Sequence, residues 1–170
     1  MTVVFKELKM ADFSIAFNWM MDNEDAPRKY NKVPDVGGYA IGGINSASFP
    51  KEFKVIDGLS GEDRANAIYA FYQKNFWNTW YEQLTSDDLA KRVFDAAVNM
   101  GPGTAVKLLQ QAINVTADGG WGSKTVTAAN NDEDAWQKFI FLRVQHYQDI
   151  VKAKPMMAVY LSQWETRAQK

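Results

Sequence analysis

The stretch Phe13-Ser14-Ile15-Ala16-Phe17-Asn18-Trp19-Met20-Met21-Asp22-Asn23-Glu24, followed after Pro27 by Asp35-Val36-Gly37-Gly38-Tyr39-Ala40-Ile41-Gly42-Gly43-Ile44-Asn45, decides how this chain is read. In its first part Phe13, Ala16, Phe17, Met20 and Met21 recur at i, i+3, i+4, i+7 and i+8, the spacing of one apolar helix face. Asp12 is the candidate N-cap. The pattern runs out at Asp22-Asn23-Glu24-Asp25. Pro27 blocks its continuation, because a proline donates no backbone hydrogen bond and its ring crowds the preceding turn. Glu24 therefore stands at or just past the end of an amphipathic helix. In the second part Pro34, Gly37, Gly38, Gly42, Gly43 and Pro50 break any helix, while Tyr39, Ile41 and Ile44 alternate around glycines. This predicts a loop and a short glycine-rich hairpin or sheet from Lys29 to Phe53, closed by Gly58.

Everything after Gly58 reads as helix. Ser60-Gly61-Glu62-Asp63 resembles a capping box that opens a long helix through Phe71, Phe76 and Trp80. Ser86-Asp87-Asp88 caps a helix carrying Leu89, Val93, Phe94 and Ala97, stopped near Gly101-Pro102, and Thr104 is the candidate cap of Ala105 to Ile113. Asp118-Gly119-Gly120 is a turn and Ser123 to Asn130 a short helix. Asp132 begins a long helix with Trp136, Phe139, Ile140, Val144 and Tyr147 on one face, and Pro155 restarts a last one. The fold class is α+β, predominantly α-helical, with one small glycine-rich β lobe.

Composition narrows the function. The chain is 46% hydrophobic and 14% aromatic, ample for a packed core, which argues against disorder. Its 19 basic and 20 acidic residues leave a net charge of -1, without the basic excess or stripe of a nucleic-acid binder. There is no cysteine, hence no disulfide and no thiolate nucleophile, and the lone His146 cannot build a His-rich metal cluster. No stretch approaches the roughly 20 apolar residues of a membrane span. Met1 to Met10 lacks the apolar core of a secretory signal. The expectation is synthesis in a cytoplasm, no membrane insertion, and a separate route out for work beyond it.

Two carboxylates stand where glycosidic chemistry would use them. Breaking a glycosidic bond takes an acid that protonates the leaving oxygen and a second group that serves as anion or base. The acid must keep its proton near neutral pH, which an apolar surround favours. The run Phe17 to Met21 offers such a surround to Glu24. Asp35, after the Pro34 turn, places a second carboxylate across a cleft, where it supports developing charge or activates water. Gly38 beside it would let a sugar approach the backbone. Read alone, Glu24 is equally a solvated helix end and Asp35 a turn residue.

Segments in order along the chain carry a resemblance. They read Asn23-Glu24-Asp25-Ala26, Asp35-Val36-Gly37-Gly38 and Tyr39-Ala40-Ile41-Gly42-Gly43-Ile44-Asn45. Phe76-Trp77, Phe94-Asp95-Ala96-Ala97-Val98-Asn99-Met100-Gly101 and Leu109-Gln110-Gln111-Ala112 come next, then Asp118-Gly119-Gly120-Trp121-Gly122-Ser123-Lys124-Thr125 and Trp164-Glu165-Thr166-Arg167. Together they resemble the lysozyme-like N-acetylmuramidases of glycoside hydrolase family 108, the phage-endolysin type, with its C-terminal peptidoglycan-binding region. In that family a first helix ends in Glu-Gly-Gly-Tyr, followed by Asp-Pro-Gly-Gly and a Thr-containing glycine loop ending in Gly-Ile-Thr. The resemblance implies that Glu24 is the general acid of a hydrolase. The bond cut is the β-1,4 link between N-acetylmuramic acid and N-acetylglucosamine, and neither metal nor cofactor is used.

Two departures bear on the chemistry. Asp25 and Ala26 replace the glycines after the acid, so a new carboxylate lies beside it and favours its protonated form by repulsion. Ala40 replaces the family's threonine, whose counterpart in related phage lysozymes helps hold the attacking water. Asn45 and Tyr39 are the candidates to take over. Tyr39 is otherwise a subsite platform or a plain strand aromatic. Asn99 either contacts a sugar N-acetyl group or caps a helix, and Asp118 to Thr125 either binds wall polymer or forms a structural turn. Trp77, Trp80, Trp121 and Trp136 read mainly as core, and His146 as a core or boundary residue.

The sequence thus predicts one lysozyme-like domain over 1–170, with a catalytic region at about 8–98, a β lobe at about 29–57, and a peptidoglycan-binding-like helical region at about 99–170 packed on it. The catalytic candidates are Glu24 and Asp35; the substrate-binding candidates are Tyr39, Asn45, Asn99 and Gly38. The expected partner is the bacterial peptidoglycan glycan strand, met by a monomer at the wall after release, through a holin-type pore by the resemblance. The rival expectations are a lytic transglycosylase or chitinase-like enzyme on the same fold, and a non-catalytic or weakly active wall binder.

Overall fold

The computed structural model describes residues 10–170; Met1–Lys9, which carry most of the reading of the targeting segment, lie outside them. The fold is lysozyme-like α+β, predominantly helical, with one three-stranded antiparallel sheet, as the sequence predicts. The chain divides into two compact units, Phe13–Asn78, and Thr79–Lys170 with the described residues up to Asp12.

In the first unit, α1 (Phe13–Glu24) buries the five side chains its periodicity singles out, Phe13, Ala16, Phe17, Met20 and Met21. Strands β1 (Val33–Asp35), β2 (Gly38–Ile41) and β3 (Ile44–Asn45) follow in sequence order. Val33, Pro34 and Asp35 pair with Ala40, Tyr39 and Gly38. Ala40 and Ile41 pair with Asn45 and Ile44. Gly42 and Gly43, at φ 54° and 77°, supply the two positive values that a two-residue hairpin turn needs to match strand twist. Because side chains alternate and paired residues share a face, Asp35, Gly38, Ala40 and Asn45 lie on one face of the sheet. Pro34, Tyr39, Ile41 and Ile44 lie on the other.

The predicted loop ends earlier than expected. Residues Pro50–Asp57 form a helix, α2, that buries Phe53 and Ile56. Pro50 starts this helix rather than breaking one, since at the first helical position its missing N–H has no partner to lose. The next helix, α3 (Gly61–Asn75), is shorter than predicted, and Ser60 makes no side-chain cap bond. It ends because the backbone amides of Phe76 and Trp77 both turn in on the Tyr72 carbonyl, at 3.0 and 3.2 Å. The Asn75 side chain takes the Phe71 carbonyl at 2.8 Å.

The second unit is helical throughout: α4 (Thr79–Glu82), α5 (Asp87–Met100), α6 (Pro102–Ala112), α7 (Ser123–Asn130), α8 (Ala135–Ala153), a 3-10 turn at Pro155–Met157, and α9 (Ala158–Gln169). Ser86 caps α5 as expected, its hydroxyl accepting the Leu89 amide at 3.2 Å. Helix α6 starts at Pro102 rather than after Thr104, because Gly101 at φ 91° turns the chain and Pro102 again takes the first position. Under these helices lies a charged cluster. Asp95, fully buried on α5, accepts a forked pair of bonds from Arg167 (Nη2 at 2.7 Å, Nε at 3.1 Å). Arg143 Nη2 stands 2.7 Å from Asp95 Oδ2, and Arg143 Nε donates to the Tyr147 hydroxyl at 3.0 Å. Among the described residues no helix is long and apolar enough to cross a membrane.

Candidate active site

Glu24 follows Met20 by four residues and Met21 by three, so it continues the buried face of α1 into its last turn. Both methionines are fully buried, whereas Glu24 is half-buried. Its carboxyl group lies against the Gly42-Gly43 turn: a Cβ placed on Gly43 would stand 3.1 Å from Glu24 Oε2 and 2.7 Å from the Tyr72 hydroxyl. The Tyr72 hydroxyl, in turn, donates to the Gly42 carbonyl at 2.8 Å. The missing side chain at Gly43 is what makes room for the carboxyl of Glu24.

The path from Glu24 to β1 is held tightly. Arg28 and Tyr30 adopt positive φ, 59° and 49°, a conformation that costs a residue with a Cβ about 1–2 kcal/mol. Side chains hold both in place. Arg28 donates to the Asn18 side chain and carbonyl at 2.9 and 3.0 Å and pairs with Asp22. Tyr30 gives its amide to Asp25 at 2.8 Å, and Arg64 on α3 takes its carbonyl at 3.0 Å. The carboxylate of Asp25 is thus turned onto the loop backbone.

Asp35 sits in a different setting. It is exposed at the end of β1, and its two oxygens accept from the Val36 amide at 2.7 Å and from Asn45 Nδ2 at 2.6 Å. The Asn45 amide first, and the Val36 amide second, hold its carboxyl below the ordinary carboxylate range. Asn45 has no capacity to spare. Its Nδ2 also donates to the Val36 carbonyl at 3.1 Å, and its Oδ1 accepts from the Ala47 and Ser48 amides at 2.7 and 3.2 Å. It therefore orients Asp35 and closes the turn after β3.

The structure brings Asp35, Asn45, Gly38 and Ala40 to one sheet face, with Glu24 against the turn between β2 and β3. Gly38 is a glycine for a packing reason, since a Cβ there would overlap Ser46 Oγ, which accepts the Tyr39 amide at 3.0 Å. Tyr39 is on the opposite face. Its half-exposed ring lies 4.9 Å under Lys32 Nζ, and Lys32 also pairs with Asp57 at 2.7 Å. Tyr72 is the residue that sequence reading missed. On α3 beside Phe71 it looks like one more core aromatic, and only the register of the hairpin shows where its hydroxyl points.

The remaining candidates belong to the second unit. Asn99 accepts the Tyr147 hydroxyl at 2.6 Å and so extends the Asp95 cluster. Asp118 to Thr125 is organised by Gln110, which is buried on α6. Gln110 Nε2 reaches Asp118 at 2.8 Å and the Gly120 carbonyl at 2.9 Å, and its Oε1 accepts the Gly119 amide at 2.8 Å. This loop borders a cavity of about 690 Å³ that also takes in Asn114, Trp121 and Lys124. Trp77 is buried, and the Arg92 guanidinium lies 5.0 Å over the Trp136 ring. His146 is half-buried and lines one cavity with Lys107 and Asp149. Among the described residues no group of three or more His, Cys, Asp or Glu side chains is placed to hold a metal ion.

Comparison with known proteins gives two findings. The family model described as Glycosyl hydrolase 108 matches residues 17–101, half of the chain, a span that contains Glu24, the whole sheet and Tyr72. The fold is similar to the solved structure of SagA from Brucella abortus, at 24% sequence identity and a TM-score of 0.62, over 92% of this chain and 93% of that one. No curated protein sequence matches.

Proposed function

The chain belongs to the glycosyl hydrolase 108 family, and from that premise we propose that it is a peptidoglycan muramidase. It hydrolyses the β-1,4 bond between N-acetylmuramic acid and N-acetylglucosamine, with Glu24 as general acid. One observation carries this reading: two carboxylates in unlike settings serve one small sheet. Glu24 is half-buried at a bare glycine turn, a setting suited to a group that must deliver a proton to a bridging oxygen. Asp35 is exposed and kept charged by two donors, a setting suited to an anion that stabilises positive charge on the ring or draws a proton from water. Gly38 and Ala40 add little bulk to the Asp35 face. The glycan strand is the substrate that unites these features with the family, and the wall is where the protein works.

The test is Glu24→Gln, which keeps shape and removes the proton. Release of reducing ends from purified sacculi falls by at least about 100-fold, while circular dichroism stays that of the wild type. A Glu24→Gln protein that clears sacculi at the wild-type rate would refute the assignment, and wild-type protein that prefers chitin to sacculi would refute the substrate.

A second reading rests on Ala40 and Asn45. Ala40 contributes no hydroxyl to the Asp35 face, and the Asn45 amide is fully committed. An enzyme that does not hold its attacking water at these positions can instead let the muramic acid hydroxyl attack, as in a lytic transglycosylase. Mass spectrometry separates the two: 1,6-anhydro ends mark transglycosylation and reducing ends mark hydrolysis.

A further inference from the structure

We infer that Tyr72 is the positioning residue of Glu24, and that Gly43 is glycine because the carboxyl and phenol groups share the volume its side chain would fill. The inference rests on the reading of Glu24 as the acid. Glu24 ends α1, where the next residue already leaves the helix, and a glutamate at a helix end has three free torsions. A general acid must instead meet the bridging oxygen within hydrogen-bond reach, and a misplacement of about 1 Å costs up to about 100-fold in rate. The side chain must therefore be held at one position.

Tyr72 is built to do so. Its ring is 1% exposed and is packed by Phe17, Phe71 and Phe76 at centroid distances of 5.9, 5.2 and 5.7 Å. Its hydroxyl is fixed by donation to Gly42. Turn, phenol and carboxyl thus form one assembly drawn from the β2–β3 turn, α3 and α1. The phenol oxygen and Glu24 Oε2 both lie within about 3 Å of the vacant Cβ position at Gly43. Gly43 therefore meets two separate demands, a positive φ of 77° and an empty side-chain volume. Gly42, at φ 54°, faces Ile68 and Tyr30 instead.

The two demands can be told apart. Asparagine tolerates positive φ, so Gly43→Asn satisfies the turn and fills the volume. Tyr72→Phe keeps the ring and removes the oxygen. Both variants are expected to lower kcat on sacculi by about 10–100-fold, with KM within about twofold, because the acid is misplaced while the glycan is still bound. A merely structural tyrosine would lower the melting temperature and leave kcat per folded molecule unchanged. In a Glu24→Gln background Tyr72→Phe should cost nothing further. An unchanged kcat in Tyr72→Phe, beside an inactive Glu24→Gln, overturns the inference and leaves the acid assignment standing. A fully active Glu24→Gln overturns the acid assignment itself. Should Gly43→Asn fail to fold, the Tyr72→Phe and double-variant kinetics decide alone.

Discussion

Asp95 offers the sharpest test of what holds the second unit together. Asp95→Asn preserves volume and removes one negative charge from a site where Asp95 is 0% and Arg143 is 1% exposed. The variant leaves the buried Arg143 charge unopposed and strips Arg167, 13% exposed, of its forked acceptor. Breaking a buried ion pair from one side costs about 3–5 kcal/mol, because the surviving charge stays desolvated. Against a domain stability of about 5–15 kcal/mol that is about a fifth or more, and it lowers the melting temperature by at least about 12 °C in a unit of this size. The opposite truncation is milder. Arg143 Nη1 and Nη2 make no well-directed hydrogen bond, although Nη2 is only 2.7 Å from Asp95; the close contact is ionic and poorly aligned. Arg143→Met removes an expensive desolvated cation and leaves Asp95 paired with Arg167, so it costs about 1–2 kcal/mol. Urea unfolding followed by tryptophan fluorescence reads both, since Trp164 stacks on Tyr147 at 5.2 Å. The reasoning is refuted if Asp95→Asn lies within about 1 kcal/mol of the wild type, or if Arg143→Met proves the worse of the two.

Asn45→Ala frees the Asp35 carboxyl from its main donor. A carboxyl held below its ordinary value of 3.8 contributes to stability above that pH and loses the contribution as pH falls through the lower folded value. In the variant the loss therefore moves up toward pH 3.8, and a carbon-13 NMR titration of Asp35 shows it; coincident curves for the two proteins would contradict the role given to Asn45. Stereochemistry is the second outcome. Glu24 rests against the Gly42-Gly43 turn and Asp35 is tied to Asn45 beyond it; two carboxyl groups that act from opposite sides of the sugar with a water between them invert the anomeric carbon. Proton NMR of the first product formed checks this, and a retained configuration would mean that the carboxyl groups close up or that Asp35 is not the partner.

Local pattern was enough for part of this. Five apolar residues at helical spacing give α1, and the break at Asp22-Asn23-Glu24-Asp25 with Pro27 after it puts Glu24 at its end. Glycines told where the chain must turn, and α7 came out residue for residue. Helix α2 is hidden in the sequence because Pro50 reads as a breaker in isolation and as a starter only when a helix follows. The long-range partners are harder for a physical reason: Tyr72 meets Gly42 across 30 residues and Arg167 meets Asp95 across 72. Such pairs are chosen by tertiary packing, and no periodicity within one element reports them. Asn45 is a candidate from its motif position, but its hydrogen bond to Asp35 is seen only once the strand register is known.

That register also divides the labour of the little sheet between its two faces. With two-residue turns at both ends of β2, neither neighbour can slide, because a one-residue slip would turn every side chain over. The two faces of this ribbon therefore answer to different demands. On the Ile41–Ile44 side substitutions are judged by packing, and under the proposed function those at Asp35 and Asn45 are judged by what they do to the glycan. A designer wanting a new substrate has one alternate set of positions to vary, and the other set to leave alone.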